Sequence, residues 1–175
     1  MERYGIDLLQ DLSNQNQIQS GKFFRVDRST TALGASSWLD LEIDTVSTGV
    51  KLNFQINNSG GLGEVFLVEI STSSTYGHGG LAVGSVNPNR VSTYTAETLC
   101  FTSGTNTAFM TSTVASTQGV YLADYYINSS GANISVKPYE FEDKYILKGN
   151  TTYVLRLYNR NTSGYASISV FLSEN

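Results

Sequence analysis

Hydrophobic and polar residues alternate with a period of two in several short stretches of the chain. Such alternation is typical of β-strands with one buried and one exposed face. It is clearest in residues 38–44, 50–57, 119–128 and 151–159. Clusters of Asn, Ser and Gly separate these stretches. The pattern therefore predicts an all-β protein built from about eight to ten short strands.

Two pairs of neighbouring strands carry the signal of a β-hairpin. Residues 50–57 and 65–70 flank an Asn-Asn-Ser-Gly-Gly turn, and residues 151–159 precede an Asn-Thr-Ser-Gly turn and a last strand. In the closing pair, alternation predicts an inward-facing set: Tyr153, Leu155, Leu157, Ile168 and Val170. Arg156, Tyr158 and Arg160 are then the residues expected to face a partner.

The spacing of strands and turns predicts a single antiparallel β-sandwich over residues 21–175, with a jelly roll as the best specific topology. Residues 1–20 differ from the rest. Their apolar residues would line one side of a helical turn too short to be stable alone. We expect an N-terminal arm or loosely docked segment there, either a frayed terminus or a clamp that orders on a partner.

The composition of the chain argues against some classes of function. The net charge of −4 argues against nucleic acid as the main partner, because phosphate binding needs a basic surface. Charged residues make up 15% of the chain, so Ser, Thr, Asn, Gln and Gly must form much of the surface. No apolar run approaches the length of a membrane span, and the N-terminus lacks a signal-peptide pattern. We expect a soluble protein made in the cytoplasm.

Few residues offer catalytic chemistry. His78 is the single histidine, and Cys100 is the single cysteine. Cys100 lies in an apolar strand pattern, where we expect it to act as a small buried residue. No disulfide within the chain and no zinc spacing is available. The sequence predicts a non-enzymatic protein with no cofactor and no metal.

Acidic and aromatic residues leave two further alternatives. Asp40, Glu42 and Asp44 share one predicted strand face, which favours a solvated outer face over a calcium site. Glycoside hydrolysis needs a pair of carboxylates, and the candidate residues for it are Asp40, Glu42, Glu64, Glu69, Glu97 and Asp124.

A glycan could also bind by stacking on exposed aromatic rings, for which the candidate residues are Trp38, Tyr76, Tyr94, Tyr121 and Tyr125.

Residues 71–90 form the longest predicted loop, rich in Gly and containing Tyr76, His78, Asn89 and Arg90. Glycine permits backbone angles closed to other residues, and loops of this length are often functional. We therefore count these four residues among the candidates for partner binding.

Several short motifs resemble those of tailed-bacteriophage virion proteins of the head decoration and minor capsid (cement) type. They are Leu-Lys-Gly-Asn-Thr-Thr-Tyr at 147–153, Asn-Arg-Asn at 159–161, Phe-Leu-Ser-Glu at 171–174, Gly-Gly at 79–80 and Asn-Pro-Asn-Arg at 87–90. The tryptophan common near the C-terminus in that group is absent here.

The resemblance implies a capsid decoration subunit that binds the major capsid protein, stabilises the head and forms a dimer or trimer in the virion. The alternative is a receptor- or glycan-binding β domain of a phage fibre or head-fibre base. The residues expected to contact a partner are Tyr4, Ile6, Leu8, Leu9, Leu12, Tyr76, His78, Asn89, Arg90, Arg156, Tyr158 and Arg160.

Overall fold

The computed structural model describes residues 18–46, 49–70, 80–102, 119–128 and 139–174. The strands of this part of the chain are β1 (Phe23–Leu33), β2 (Ser37–Thr45), β3 (Val50–Asn58), β4 (Leu62–Ile70), β5 (Ala82–Val83), β6 (Leu99–Thr102), β7 (Gly119–Asn128), β8 (Tyr139–Leu147), β9 (Thr151–Asn159) and β10 (Gly164–Ser173). The predicted arm lies largely outside the described residues. Its last three residues, 18–20, are described, are helical and precede Gly21.

Two antiparallel sheets pack face to face. Sheet A has the strand order β1-β10-β3-β8, and sheet B has the order β5-β6-β2-β9-β4-β7. Without the short β5 and β6, the two four-strand orders are those of a jelly roll. Consecutive strands alternate between the sheets except for β4 and β7, which pair with each other in sheet B. The predicted all-β antiparallel sandwich is confirmed, and β5 and β6 extend sheet B beyond β2.

Both predicted hairpins are wrong. β3 belongs to sheet A and β4 to sheet B, while β9 pairs with β2 and β4 and β10 pairs with β1 and β3. Their connections, residues 59–61 and 160–163, cross from one sheet to the other. Alternation identifies a strand and its buried face, but it carries no information about which strand lies alongside.

The core fills the space between the sheets, and the predicted packing residues of β9 and β10 lie in it. Tyr153, Leu155 and Leu157 face Ile168 and Val170 across the sandwich, all fully or almost fully buried. β3 contributes every second residue from Val50 to Ile56. The alternating sequence thus becomes a two-layer apolar core, as expected for a sandwich.

The central strands of sheet B are also buried on their outer side. Asp40 and Glu42 are each 1% exposed, so the expectation of a solvated carboxylate face on β2 is wrong. Beside them, the outward side chains of β4 and β9 form a second apolar cluster: Phe66, Val68, Ile70 and Val154, with Tyr158 packed against it. Period-two alternation separates two faces, but it does not say that the polar face meets water.

A buried asparagine links the end of β1 and the β1–β2 connection to the β9–β10 connection at one end of the sandwich. The amide of Asn159, 0% exposed, donates to the carbonyl oxygens of Leu33 (3.0 Å), Gly34 (3.1 Å) and Thr162 (2.7 Å). Gly60 packs against this amide so closely that a Cβ there would lie 2.3 Å from the Thr162 oxygen. The corner therefore depends on a side chain that satisfies main-chain groups and on a residue with no side chain.

Cys100 on β6 is buried, as predicted. Burial, together with the negative charges of Asp44 and Glu174, raises the pKa of the thiol from 9.0 to about 12. A thiol with so high a pKa is almost entirely protonated at neutral pH, and it is correspondingly unreactive as a nucleophile. His78, the other half of the catalytic pair considered from the sequence, lies outside the described residues.

Candidate functional site

One rung of sheet B carries aromatic side chains on its outer face, and we call it the aromatic row. Tyr158 of β9 stands opposite Trp38 of β2 and opposite Glu64 of β4, and Glu64 in turn stands opposite Tyr126 of β7. Residues directly opposite each other in a sheet point to the same side. The row thus runs across four adjacent strands in the order Trp38, Tyr158, Glu64, Tyr126.

Arg160 contacts three of the four side chains of the aromatic row. Its guanidinium lies 5.4 Å from the ring centre of Tyr158 and 5.9 Å from that of Tyr126. It also forms an ion pair with the Glu64 carboxylate, with Nε 2.8 Å from Oε2. Glu64 is 4% exposed, whereas the Arg160 side chain is 33% exposed. The arginine is therefore held in place by a nearly buried carboxylate and two ring faces.

The neighbouring rung is charged and more deeply buried. It consists of Asp40, Arg156, Phe66 and Asp124. Arg156 donates to Asp40 through Nε (2.6 Å) and Nη2 (2.5 Å), and both side chains are 1% exposed. The expectation that Arg156 faces a partner is wrong, because its guanidinium is buried and donates two hydrogen bonds to Asp40. It also lies 4.7 Å from the ring centre of Trp38, so it packs beside the aromatic row on the same face of the sheet.

The exposed groups of the site lie on β7, at its outer edge. Tyr126 is 66% exposed, and Asp124, two residues earlier on the same strand face, is also exposed. A hydrogen bond to the Glu64 carboxylate raises the pKa of Tyr126. Desolvation, followed by the negative charge of Glu64, raises the pKa of Asp124. Both shifts have the same consequence, since each group holds its proton to a higher pH than usual.

The other end of the aromatic row is less exposed. The rings of Trp38 and Tyr158 are stacked with centroids 6.5 Å apart, and both residues are partly buried. On the rung beyond Asp124, Tyr121 makes an edge contact with Phe66 at 5.8 Å. Solvent exposure along this face therefore increases from the packed aromatic pair on β2 and β9 to the exposed side chains on β7.

The structure places the predicted partner-contacting residues in separate regions. Tyr158 and Arg160 meet in the aromatic row, and their role in partner binding stays a prediction. Asn89 is used within the chain, since its amide donates to the Gln19 carbonyl at 3.1 Å, while Arg90 is exposed. The remaining candidates lie outside the described residues: Tyr4, Ile6, Leu8, Leu9, Leu12, Tyr76 and His78.

Sequence reasoning did not single out Tyr126, the most exposed ring of the site. Glu64 and Asp124 were considered only among the carboxylates for glycoside hydrolysis. The available signal was that Asp124 and Tyr126 are two residues apart on one strand, which places them on one face. Their proximity to Tyr158 and Arg160 depends on β4 lying between β7 and β9, which the sequence does not reveal.

The acidic residues of β2 do not form a calcium site with their neighbours. Asp40 is paired with Arg156, and Asp44 accepts a hydrogen bond of 2.6 Å from Thr152 Oγ1. In the described part of the chain, no group of three or more His, Cys, Asp or Glu side chains is arranged to hold a metal ion. None of the described helical residues forms a segment long and apolar enough to cross a membrane.

No protein-family model matches this chain, and no curated protein sequence matches it. Among solved structures, the chain is similar to the crystal structure of Yersinia pseudotuberculosis-derived mitogen. The likeness covers 86% of this chain and 86% of that chain, with 13% sequence identity and a TM-score of 0.36. A likeness at this TM-score carries no argument about fold or function.

Proposed function

We propose that this chain is a non-enzymatic structural protein of a bacteriophage virion, a decoration or cement subunit that binds the major capsid protein and stabilises the head. The motifs at 147–153, 159–161 and 171–174 support this proposal by resemblance. The jelly-roll topology is compatible with it, since viral capsid proteins and lectins both use that architecture. Because one fold serves many functions, the support must come from the surface.

The observation that carries the proposal is the side of the sandwich formed by β7 and β8. In the part of the chain that the structure describes, each of these strands pairs on one side only, and the Tyr125 and Tyr145 hydroxyls join them at 2.8 Å. Val120 is 62% exposed and Ile146 is 72% exposed on these strands. Isolated proteins normally protect long sheet edges with charge, proline or a covering segment. Apolar edges suit a subunit that associates with copies of itself and with a shell.

Capsid binding tests the function directly. Purified protein is mixed with undecorated capsids of the phage and sedimented, with the bound amount measured against concentration. We expect saturable binding at a stoichiometry set by the capsid symmetry. An absence of co-sedimentation at low, intermediate and high salt would refute the proposal.

The role of the β7–β8 side has its own test. A double variant, Val120→Asp with Ile146→Asp, places charges on this side, and Val86→Asp places one on an exposed valine beside β1. We expect light scattering to show a dimer or trimer for the parent protein and for Val86→Asp, and a monomer for the double variant. An unchanged oligomer in the double variant would show that association uses another surface.

A second function, a receptor- or glycan-binding domain of a phage fibre or head-fibre base, is favoured by the aromatic row. Stacked rings beside carboxylates and an arginine are typical of polar ligand sites that also need an apolar platform. Binding to a glycan array and adsorption to host cells are the measurements. Silence in both would count against this second function while leaving capsid binding to its own experiment.

A further inference from the structure

We infer that the aromatic row, together with Asp124, is a binding site for a neutral saccharide. The inference rests on the second proposed function and specifies its ligand. The rings of Tyr126, Tyr158 and Trp38 provide the platform, and the Asp124 carboxylate accepts hydrogen bonds from sugar hydroxyl groups. Glu64 and Arg160 hold the platform in place.

The platform has the dimensions of an extended ligand. Neighbouring strands are about 4.8 Å apart, so the row from Trp38 on β2 to Tyr126 on β7 spans about 14 Å across three strand spacings. That length accommodates more than one sugar ring. The face of an aromatic ring carries partial negative charge, which attracts the weakly positive C–H groups on the flat side of a pyranose. Tyr126, with 66% of its surface exposed, is the ring most open to such contact.

The platform is organised before any ligand arrives. Arg160 is ion-paired with Glu64, and its guanidinium lies against the rings of both Tyr126 and Tyr158. Glu64 itself is 4% exposed and lies on a central strand of the sheet. A ring fixed in this way loses little conformational freedom on binding, which favours affinity in a shallow site.

Charge decides between neutral and acidic saccharides. Both arginines of the face are matched to carboxylates, Arg156 to Asp40 and Arg160 to Glu64. Asp124 and the buried Glu42 are further acidic residues on this face, so acidic residues outnumber arginines there. A sialic acid or uronic acid would bring its carboxylate close to Asp124, and repulsion between like charges disfavours that contact. A neutral sugar meets no such repulsion.

Asp124 is positioned to give the site its polar specificity. It lies two residues from Tyr126 on the same face of β7, a distance of about 7 Å along the strand. A ring stacked on Tyr126 would therefore present hydroxyl groups near this carboxylate. Hydrogen bonds to an ionised acceptor are stronger than those between neutral groups, so one carboxylate contributes substantially to a small site.

The test is an array of neutral oligosaccharides containing glucose, galactose or N-acetylglucosamine beside matched sialylated and uronic-acid oligosaccharides. The strongest binder is then titrated against the full chain by calorimetry. Tyr126→Ala and Asp124→Asn are compared with Tyr165→Ala, which removes an exposed tyrosine from sheet A. Circular dichroism and thermal unfolding confirm that each variant is folded.

We expect binding of a neutral oligosaccharide, weakened about tenfold by Tyr126→Ala and also weakened by Asp124→Asn, with no change for Tyr165→Ala. Binding to acidic saccharides alone would overturn the inference and leave glycan binding standing. Neutral binding that survives Tyr126→Ala would overturn the assignment of the site. An array without any binder would overturn both this inference and the second proposed function, but not the first.

Discussion

Breaking the buried ion pair between Asp40 and Arg156 is expected to destabilise the protein far more than breaking an exposed pair. The substitution Asp40→Ala removes the carboxylate that accepts both hydrogen bonds of the guanidinium. Arg156, which is 1% exposed, then loses the two hydrogen bonds and the opposite charge that Asp40 supplies. Water cannot replace that carboxylate at a buried position, so the lost stabilisation is not recovered from solvent.

The magnitude follows from the burial of both groups. Removing one partner of a buried pair costs about 3–5 kcal/mol, a large part of the roughly 5–15 kcal/mol that stabilises a typical domain. With a urea dependence of about 2 kcal/mol per molar, the unfolding midpoint should fall by about 2 M. Replacing both residues, as Asp40→Val with Arg156→Met, removes both charges and keeps apolar volume. That double variant should be more stable than the sum of the two single changes predicts.

Urea unfolding monitored by tryptophan fluorescence measures Asp40→Ala and the four corners of a cycle: the parent, Asp40→Val, Arg156→Met and the double variant. Trp38 lies over Arg156, so it reports on the region directly. The control is Arg25→Ala, which breaks a pair in which both side chains are 50% exposed and should cost about 0–1 kcal/mol. If Asp40→Ala costs no more than Arg25→Ala, or if the effects of Asp40→Val and Arg156→Met are additive, the reasoning about burial is refuted.

Three further predictions concern other parts of the fold. Asn159→Ala leaves buried carbonyl oxygens without a donor and should lower the free energy of unfolding by about 2–4 kcal/mol in urea titrations. Gly60→Ala should lower the melting temperature by several degrees, whereas Gly84→Ala, whose Cβ would meet nothing within 4 Å, should leave it unchanged. Cys100 should react with a thiol reagent only after unfolding. Because its folded pKa is raised, the unfolded thiol ionises first, so its contribution to stability should be lost between pH 9 and 12, and Cys100→Ala should show a shallower decline.

The sequence predicted the strands well because alternation is a local property. Residues 38–44, 50–57, 119–128 and 151–159 all lie in strands of the structure. The buried sets of β3 and β9 also followed from the pattern. Pairing did not follow, because turns of three or four residues serve both a hairpin and a crossing between sheets. The same limit explains why two adjacent strand signals were interpreted as hairpins.

The candidate site was predictable only in fragments. Trp38 was a candidate for glycan stacking, and Tyr158 and Arg160 were candidates for partner contact. Nothing in the sequence indicated that these residues share a rung with Tyr126, because that rung joins four strands far apart in the chain. Arg156 shows the opposite error. A charged residue in an alternating strand suggests exposure, and only the position of Asp40 on the neighbouring strand explains its burial.

The location of β10 in sheet A sets an order of events during protein synthesis. β10 lies between β1 and β3, so these two strands, which are translated earlier, cannot pair with it until residues 164–173 have been synthesised. Until then sheet A is incomplete, and the edges of β1 and β3 that β10 will cover are unpaired in the nascent chain. A premature stop codon before Gly164 would therefore remove a central strand rather than trim an end, and the truncated product should be a substrate for chaperones and proteases.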